Sequence, residues 1–284
     1  MKHLVRIGGA AASIALAVVL VSAIASTVAA SSAQSSRSLP VITIAMNKTS
    51  ITVAGTLQSG AVDIRSTTTN EASGSPVLVR LNPGVTADQA FAFAASPAAQ
   101  DLNNVSRFGS IVFDADAPQG TSDVQTTLQP GNYIAIDVAG NNPGKNPHTT
   151  FTITAAAQPA ALPAAQATIK AIDFRFQGAT RLHDGELVRF ENRGFLVHMI
   201  DAVGVKNGAT AKRVMSLLRA GKDTQAQHLA SGFVGFMEPV SSGALQQLVV
   251  TAKPGVYVLV CFMATQDGRE HTQLGMLRVI HMTK

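Results

Sequence analysis

The stretch from Pro254 to Met276 reads PGVYVLVCFMATQDGREHTQLGM and contains one thiol, one imidazole and one thioether: Cys261, His271 and Met276. Tyr257 to Cys261 is a β-branched and aromatic run opened by Pro254-Gly255, a pattern that predicts a strand ending at the cysteine. Nine residues, with Asp267-Gly268 as a turn, separate Cys261 from His271, and four more separate His271 from Met276. Leu277 to Met282 then reads as a second strand. Three soft or borderline ligands thus sit at the two rims of one loop. Cysteine and histidine with a weak axial methionine are donors of a mononuclear copper centre, complete but for a second histidine. His198, sixty-three residues before the cysteine, is the candidate.

The elements that must position these residues read as short strands throughout. In the first body these are Val41 to Met46, Ser50 to Val53, Val62 to Ile64 and Val77 to Leu81, each punctuated by Gly, Asn or Ser clusters. That rhythm predicts an all-β sandwich. Thr86 to Ala95 interrupts it with a short helical insertion, after which strands resume at 110–114, 124–128, 130–137 and 151–154. The Ala- and Pro-rich segment 156–167 lacks any period and is expected to link two domains, 41–155 and 168–284. In the second, strands are expected over Thr168 to Phe176, Glu186 to Phe190 and Phe195 to His198, then a helical insertion over Thr210 to Ala220. An irregular region, Gly221 to Ser242, follows. Strands at 245–252, 255–261 and 277–282 close the chain.

The two bodies form an internal repeat offset by about 124 residues. Pro130-Gly-x-Tyr matches Pro254-Gly-x-Tyr, and Thr86-Ala matches Thr210-Ala. Asp137 then falls opposite Cys261, His148 opposite His271 with one residue of slack, and Ile153 opposite Met276. No histidine in the first body answers to His198. The first domain is therefore expected to keep the scaffold and bind no metal.

Composition sets the wider bounds. The chain has 284 residues with 46% hydrophobic and 14% charged, no Trp and two Tyr, the profile of an aliphatic globular protein. Lys2 and Arg6, the apolar run Ile14 to Ile24 and the small residues Val28-Ala29-Ala30 make a secretory signal over residues 1–30, followed by a Ser-rich spacer, 31–40. Export to the cell envelope or beyond is expected, with no stable membrane span once the signal is removed. Basic residues are scattered among acidic ones, with no aromatic interleaving, so nucleic acid is not an expected partner. One cysteine in an exported chain cannot form an internal disulfide, and a lone thiol there is safe only when buried or bound. Free cysteine also packs as a small hydrophobe. A metal-free extracellular β-sandwich that acts as a binding or interaction module therefore stands as the alternative reading.

The second domain resembles the cupredoxins, the blue-copper β-sandwich family, in Phe190-Glu-Asn-Arg-Gly-Phe-Leu-Val-His198 and in Tyr257-x-x-x-Cys261 followed by His271-x-x-x-x-Met276. The resemblance covers about 115 residues, and the first domain matches only as a relative poor in ligands. It implies two tandem Greek-key cupredoxin-like sandwiches with one copper per chain in the second. His198, Cys261 and His271 would form the trigonal plane and Met276 the long axial contact. It further implies one-electron transfer to a redox partner, with His271 nearest the surface and Leu274 and Phe262 on an apolar docking rim. Copper nitrite reductases widen the same Cys-to-His gap, but Val260 and Val203 stand where their second copper takes histidine, so no enzyme activity of that kind is expected. Met199 occupies the place where many cupredoxins put an asparagine that ties the two ligand loops together. His228 and Met237, in the irregular region, have no metal-ligand spacing.

Overall fold

The computed structural model describes residues 38–139 and 143–284; the expected signal and most of the spacer lie outside them. In the first half the strands are β1 Val41–Asn47, β2 Ser50–Gly55, β3 Gly60–Gly74, β4 Pro76–Leu81, β5 Gly109–Asp114, β6 Ala117–Leu128, β7 Gly131–Asp137 and β8 His148–Ile153. The second half contains β9 Ala167–Ile172, β10 Arg175–Gly178, β11 Arg181–His183, β12 Leu187–Asn192, β13 His198–Val205, β14 Ala230–Val240, β15 Leu245–Val249, β16 Gly255–Val260 and β17 Leu277–Thr283. Each half carries one helical insertion at the same place in its strand order: α1 Ala87–Ala94 between β4 and β5, and α2 Gly208–Arg219 with the short α3 Asp223–Gln227 between β13 and β14. The fold is all-β.

Thr86 starts α1 with a capping box, its hydroxyl accepting from Gln89 N–H while the Gln89 side chain returns to the Thr86 N–H. Asn207 caps α2 with a single bond, its side-chain oxygen accepting from Thr210 N–H. Thr86 of the first Thr-Ala pair is thus the cap itself, whereas Thr210 of the second is the residue the cap holds.

Three sheets are present: one of eight strands in the order β10-β9-β12-β15-β6-β3-β1-β2, one of five, β11-β17-β16-β13-β14, and one of four, β5-β4-β7-β8. Each half packs its own portion of the large sheet against its own small sheet. Ile42, Ile44 and Ile64 meet Leu78, Phe113 and Tyr133 in the first core. Ile169, Val188 and Phe190 meet Ala202, Leu259 and Ile280 in the second. Alternating strands bury one face each, which yields two inner faces and two outer ones. The halves are continuous through the large sheet, where β15 meets β6 at Gln247 opposite Gln125, and Gln247 Nε2 donates to Gln125 Oε1 at 3.1 Å. The stretch between β8 and β9 lies along this seam, its Pro163 carbonyl accepting from both Arg189 and Gln247.

The repeat is exact in register at its centre. Val77 pairs with Ile136 in β4–β7 as Asp201 pairs with Val260 in β13–β16, both shifted by 124. Tyr133 Oη donates to Gln129 O at 2.6 Å, and Tyr257 Oη to Lys253 O at 2.8 Å. Beyond that point the alignment read from the sequence fails. His148 pairs with Ile136 and Leu277 with Val260, so His148 answers to Leu277, not His271; Ile153 likewise answers to Met282, not Met276. The reason is length: eleven residues separate Ile136 from His148, whereas sixteen separate Val260 from Leu277. The segment that carries His271 and Met276 has no room in the first half.

Three other expectations differ from the structure, the first being the strand expected over 195–198: that segment bends at Phe195 and Leu196, and the strand β13 runs onward from His198 to Val205. The run 168–176 is not one strand but the hairpin β9–β10, turned at Asp173 and Phe174, with Phe174 at φ +61°, the left-handed region. The region 221–242 contains α3 and the eleven-residue edge strand β14, whose glycines and exposed outer positions hide the period-2 signal.

Candidate metal centre

His198 opens β13, Cys261 follows the last residue of β16, and His271 and Met276 lie in the loop from β16 to β17. Because β13 and β16 are hydrogen-bonded neighbours, the histidine at the start of one comes beside the cysteine at the end of the other. Cys261 Sγ is 3.7 Å from His198 Nδ1 and 3.4 Å from His271 Nδ1, and the two Nδ1 atoms are 3.1 Å apart. Among the described residues these three form the one His, Cys, Asp and Glu group whose ligand atoms all lie within 4.8 Å of one another. All three are fully buried. Met276 is also fully buried and belongs to the same core cluster as Cys261; its N–H donates to His271 O at 2.9 Å.

The loop that delivers His271 is tied to itself. His271 N–H donates to Met263 O at 2.8 Å, Ala264 and Glu270 form an isolated bridge, and Arg269 Nε donates to Asp267 Oδ2 at 2.8 Å across the turn at Gly268. The His198 loop is ordered by Asn192, buried completely, whose Nδ2 donates to Leu196 O and Val240 O at 2.8 Å each and whose Oδ1 accepts from Gly194 N–H.

Sequence reasoning missed two residues that hold this arrangement. Asp173, at the β9–β10 turn, accepts the far side of the ligand imidazole: its Oδ1 is 3.0 Å from His198 Nε2 while its carboxylate also takes Phe195 and Leu196 N–H. Such a contact fixes the ring and leaves Nδ1 available as a candidate ligand nitrogen. Gly194 makes the approach possible, since a Cβ there would sit 2.6 Å from His198 Nε2 and against Asp173 Oδ1. The second residue is Asn103, in the 3₁₀ segment Leu102–Arg107 of the first half. Its Oδ1 accepts Val197 N–H at 2.8 Å and its Nδ2 donates to Ala264 O at 3.2 Å, so one side chain joins the loop before His198 to the loop after Cys261. That is the tie expected at position 199 and absent there. Met199 contributes its backbone instead, donating N–H to Cys261 Sγ at 3.5 Å. In the first half Ser75 N–H makes the same bond to Asp137 Oδ1 at 2.9 Å.

Burial sets the protonation of the donors. Desolvation pushes the Cys261 thiol up to about 12, against the lowering effect of the Met199 and Met263 N–H groups. It holds His198 below the ordinary imidazole range despite the opposing hydrogen bond and charge of Asp173. His271 goes down to about 4, through desolvation first and the neighbouring His198 second. Asp173 lies below the usual carboxylate range: burial acts to raise it, but the hydrogen bonds from His198, Phe195 and Leu196 outweigh that. Both imidazoles are thus neutral at pH 7 and ready to ligate. The thiol keeps its proton until a metal displaces it.

His271, the ligand expected nearest the surface, has the least buried surroundings of the three but is closed off from solvent all the same. Its ring is buried, packed edge-on against Phe174 with centroids 5.3 Å apart, because the β9–β10 turn folds over it. Leu274 and Phe262 are only partly exposed. Phe195, beside Gly194, is 93% exposed and is the most prominent apolar side chain near the ligands. His228 is not part of the His198–Cys261–His271 group, while Met237 is buried on β14 opposite Ile200, in the core cluster that contains Cys261 and Met276.

Neither a known family profile nor any curated protein matches the sequence. Among solved structures the chain is similar to the auracyanin of Roseiflexus castenholzii, at 16% identity over 43% of this chain and 100% of that one, with a TM-score of 0.27. Auracyanin A, a blue copper protein from Chloroflexus aurantiacus, aligns at 15% identity over 41% and 96%, with a TM-score of 0.25. The copper nitrite reductase of Nitrosomonas europaea spans more of the chain, 86% of it and 93% of its own length, at 11% identity and a TM-score of 0.23. At such scores the chemistry of this site rests on its own donors.

Proposed function

We propose that this chain is an exported copper protein that holds one copper ion through His198, Cys261 and His271, with Met276 as a weaker fourth ligand, and passes single electrons through it. The observation that carries this reading is the convergence of one sulfur and two imidazole nitrogens, each no more than 3.7 Å from the others. Metal–nitrogen and metal–sulfur bonds of about 2.0 and 2.3 Å at trigonal angles would separate such donors by roughly 3.5–3.8 Å, close to the spacings here. The donor set is soft and nitrogenous, which suits copper in both oxidation states. When bound, copper supplies the one-electron couple.

The residues do the rest. Strands β13 and β16 fix His198 and Cys261, Asp173 and the loop ties restrain both imidazoles, and the buried pocket excludes water. Rigid ligands need little rearrangement when charge changes by one. Val203 and Val260, both buried, favour a carrier over an enzyme with a second copper of the nitrite reductase kind. With His271 under Phe174, electron exchange with a partner would cross that ring. Removal of the signal is checked by the intact mass of the mature protein.

The test of the copper reading is Cys261→Ser. The wild type loaded with Cu(II) should show intense thiolate-to-copper absorption, and the variant should fold, lose that band and bind copper far more weakly. Equal copper binding by both proteins, without the band, would instead support the metal-free module.

A further inference from the structure

On the face of β4, β5 and β7 away from the Leu78–Phe113–Tyr133 core, a cavity of about 370 Å³ lies beneath α1. Val77, Val79, Phe93, Phe108 and Ile136 make its walls apolar, and Asp114 and Glu238 reach it at one end, beside Ser75 and Asn146. Glu238 comes from β14, so the second half completes a chamber built by the first. Asp114 is 7% exposed, and its Oδ1 has no hydrogen-bond partner among the described residues. Asp201 extends this acidic row: both its oxygens are buried and unpartnered, and its Oδ1 and Glu238 Oε1 face the same point above Gly235.

Among the described residues no cation answers these carboxyls. Every charged side chain that acts on Asp114, Glu238 and Asp201 is itself acidic, namely Asp116 and Glu238. Desolvation first, and that repulsion second, pushes Asp114 well above the usual carboxylate range and Glu238 up to about 7. Asp88 of α1 and Arg107 and Lys145 of the covering 3₁₀ segments do not line the cavity. Nor is this a cage for a metal ion, because no three ligand atoms of the acidic row fall within 4.8 Å of one another. Apolar walls with a few convergent polar groups at one end are the make-up of a small-molecule site, and buried carboxyls select a positively charged donor.

We propose that the cavity beneath α1 binds a primary ammonium compound with a short alkyl or aryl body, its head donating to Asp114 and Glu238 and its body lying along Val77, Val79 and Phe93. The ammonium stays charged. A carboxyl at this end that holds its proton in the free protein gives it up to solvent as the head arrives, so pairing with the ammonium releases that proton. The site is separate from the His198–Cys261–His271 group and holds whether or not that group takes copper.

Calorimetric titration of the full chain with n-octylammonium chloride, and separately with sodium octanoate, tests this. Octylammonium should bind once per chain, with a heat that varies with the ionisation enthalpy of the buffer, and octanoate should give no binding. Asp114→Asn combined with Glu238→Gln should weaken octylammonium by about tenfold or more, since a charge-assisted pair is lost. Val79→Phe, which fills the chamber and leaves the carboxyls in place, should also abolish binding and keeps the test decisive if the double variant does not fold. Octanoate binding as tightly as octylammonium, unchanged octylammonium affinity in a folded variant, or no octylammonium binding at millimolar concentration would each overturn the proposal.

Discussion

Asn103→Ala is the sharpest perturbation the structure offers, because it touches no ligand and lies in the other half of the chain. It removes three hydrogen bonds, from Val197 N–H at 2.8 Å, to Ala264 O at 3.2 Å and to Asp101 Oδ1 at 2.9 Å. Val197 is 3% exposed, so its N–H would be left with little access to water. A typical net contribution of roughly 0.5–1.5 kcal/mol per bond puts the stability loss at about 1.5–4.5 kcal/mol, towards the upper end because the Val197 donor is left buried and unpaired. For a chain of this size that is a fall in melting temperature of roughly 3–18 °C. The effect on metal should exceed what stability alone predicts, because the two loops that carry His198 and His271 lose their shared tie. Supporting contacts of this kind are worth about 10–100-fold in metal affinity. Copper affinity by competition with a chelator, the thiolate-to-copper band and apo-protein melting should be measured together. If Asn103→Ala lowers the melting temperature as computed but leaves copper affinity and the band untouched, the side chain only fastens the halves together, and the reasoning about the ligand loops is wrong.

Asp201 is pushed up to about 9 by desolvation and by Glu238 and Asp116, from 3.8 in the unfolded chain, so between those values the unfolded state alone releases this proton. The native state therefore loses stability as pH rises from about 4 towards 9; Asp201→Asn should gain on the wild type across that window in urea unfolding, and parallel pH curves for the two proteins would refute the assignment. Gly194→Ala puts a methyl group 2.6 Å from His198 Nε2 and should displace either that ring or Asp173. A loss of roughly 1–3 kcal/mol in urea unfolding is expected from the overpacking, with a copper spectrum broadened or shifted; an unaltered spectrum would mean that the Asp173 contact does not position His198.

What the sequence disclosed and what it hid divide along physical lines. Strands announced by alternation and turn residues, such as Val41–Asn47 and Gly255–Val260, were legible, as were both helical insertions, though not their Thr86 and Asn207 caps. Cys261, His198 and His271 were legible because their residue types and spacings are uncommon together. The edge strand β14 was not, because an edge exposes both faces and its glycines carry no pattern. The Asp173–Phe174 turn was hidden because it sets a bulky residue at positive φ, against local preference. From that one local error follows the burial of His271, since the same turn lays Phe174 on the imidazole and brings Asp173 to His198. Asn103 acts across 94 and 161 residues, and no local signal reports contacts at such separations.

The comparison between halves shows what the scaffold does without the site. At Asp137 the first half places a carboxylate where Cys261 stands and keeps the N–H bond from the neighbouring strand, now from Ser75 in place of Met199. The strand end is therefore built to receive an anion or a soft acceptor in either half, whatever its identity. What the first half lacks is the chain length after that residue: five residues fewer leave no loop to carry a His271 or a Met276 back to it. Substituting ligands at Asp137 alone would thus leave an incomplete set, and building a second centre would require the longer loop together with the ties that hold it. In the second half one of those ties, Asn103, is lent by the first. On this account the first half shapes the loops that carry the His198–Cys261–His271 group of the second, and a fragment of 168–284 alone would lose that restraint.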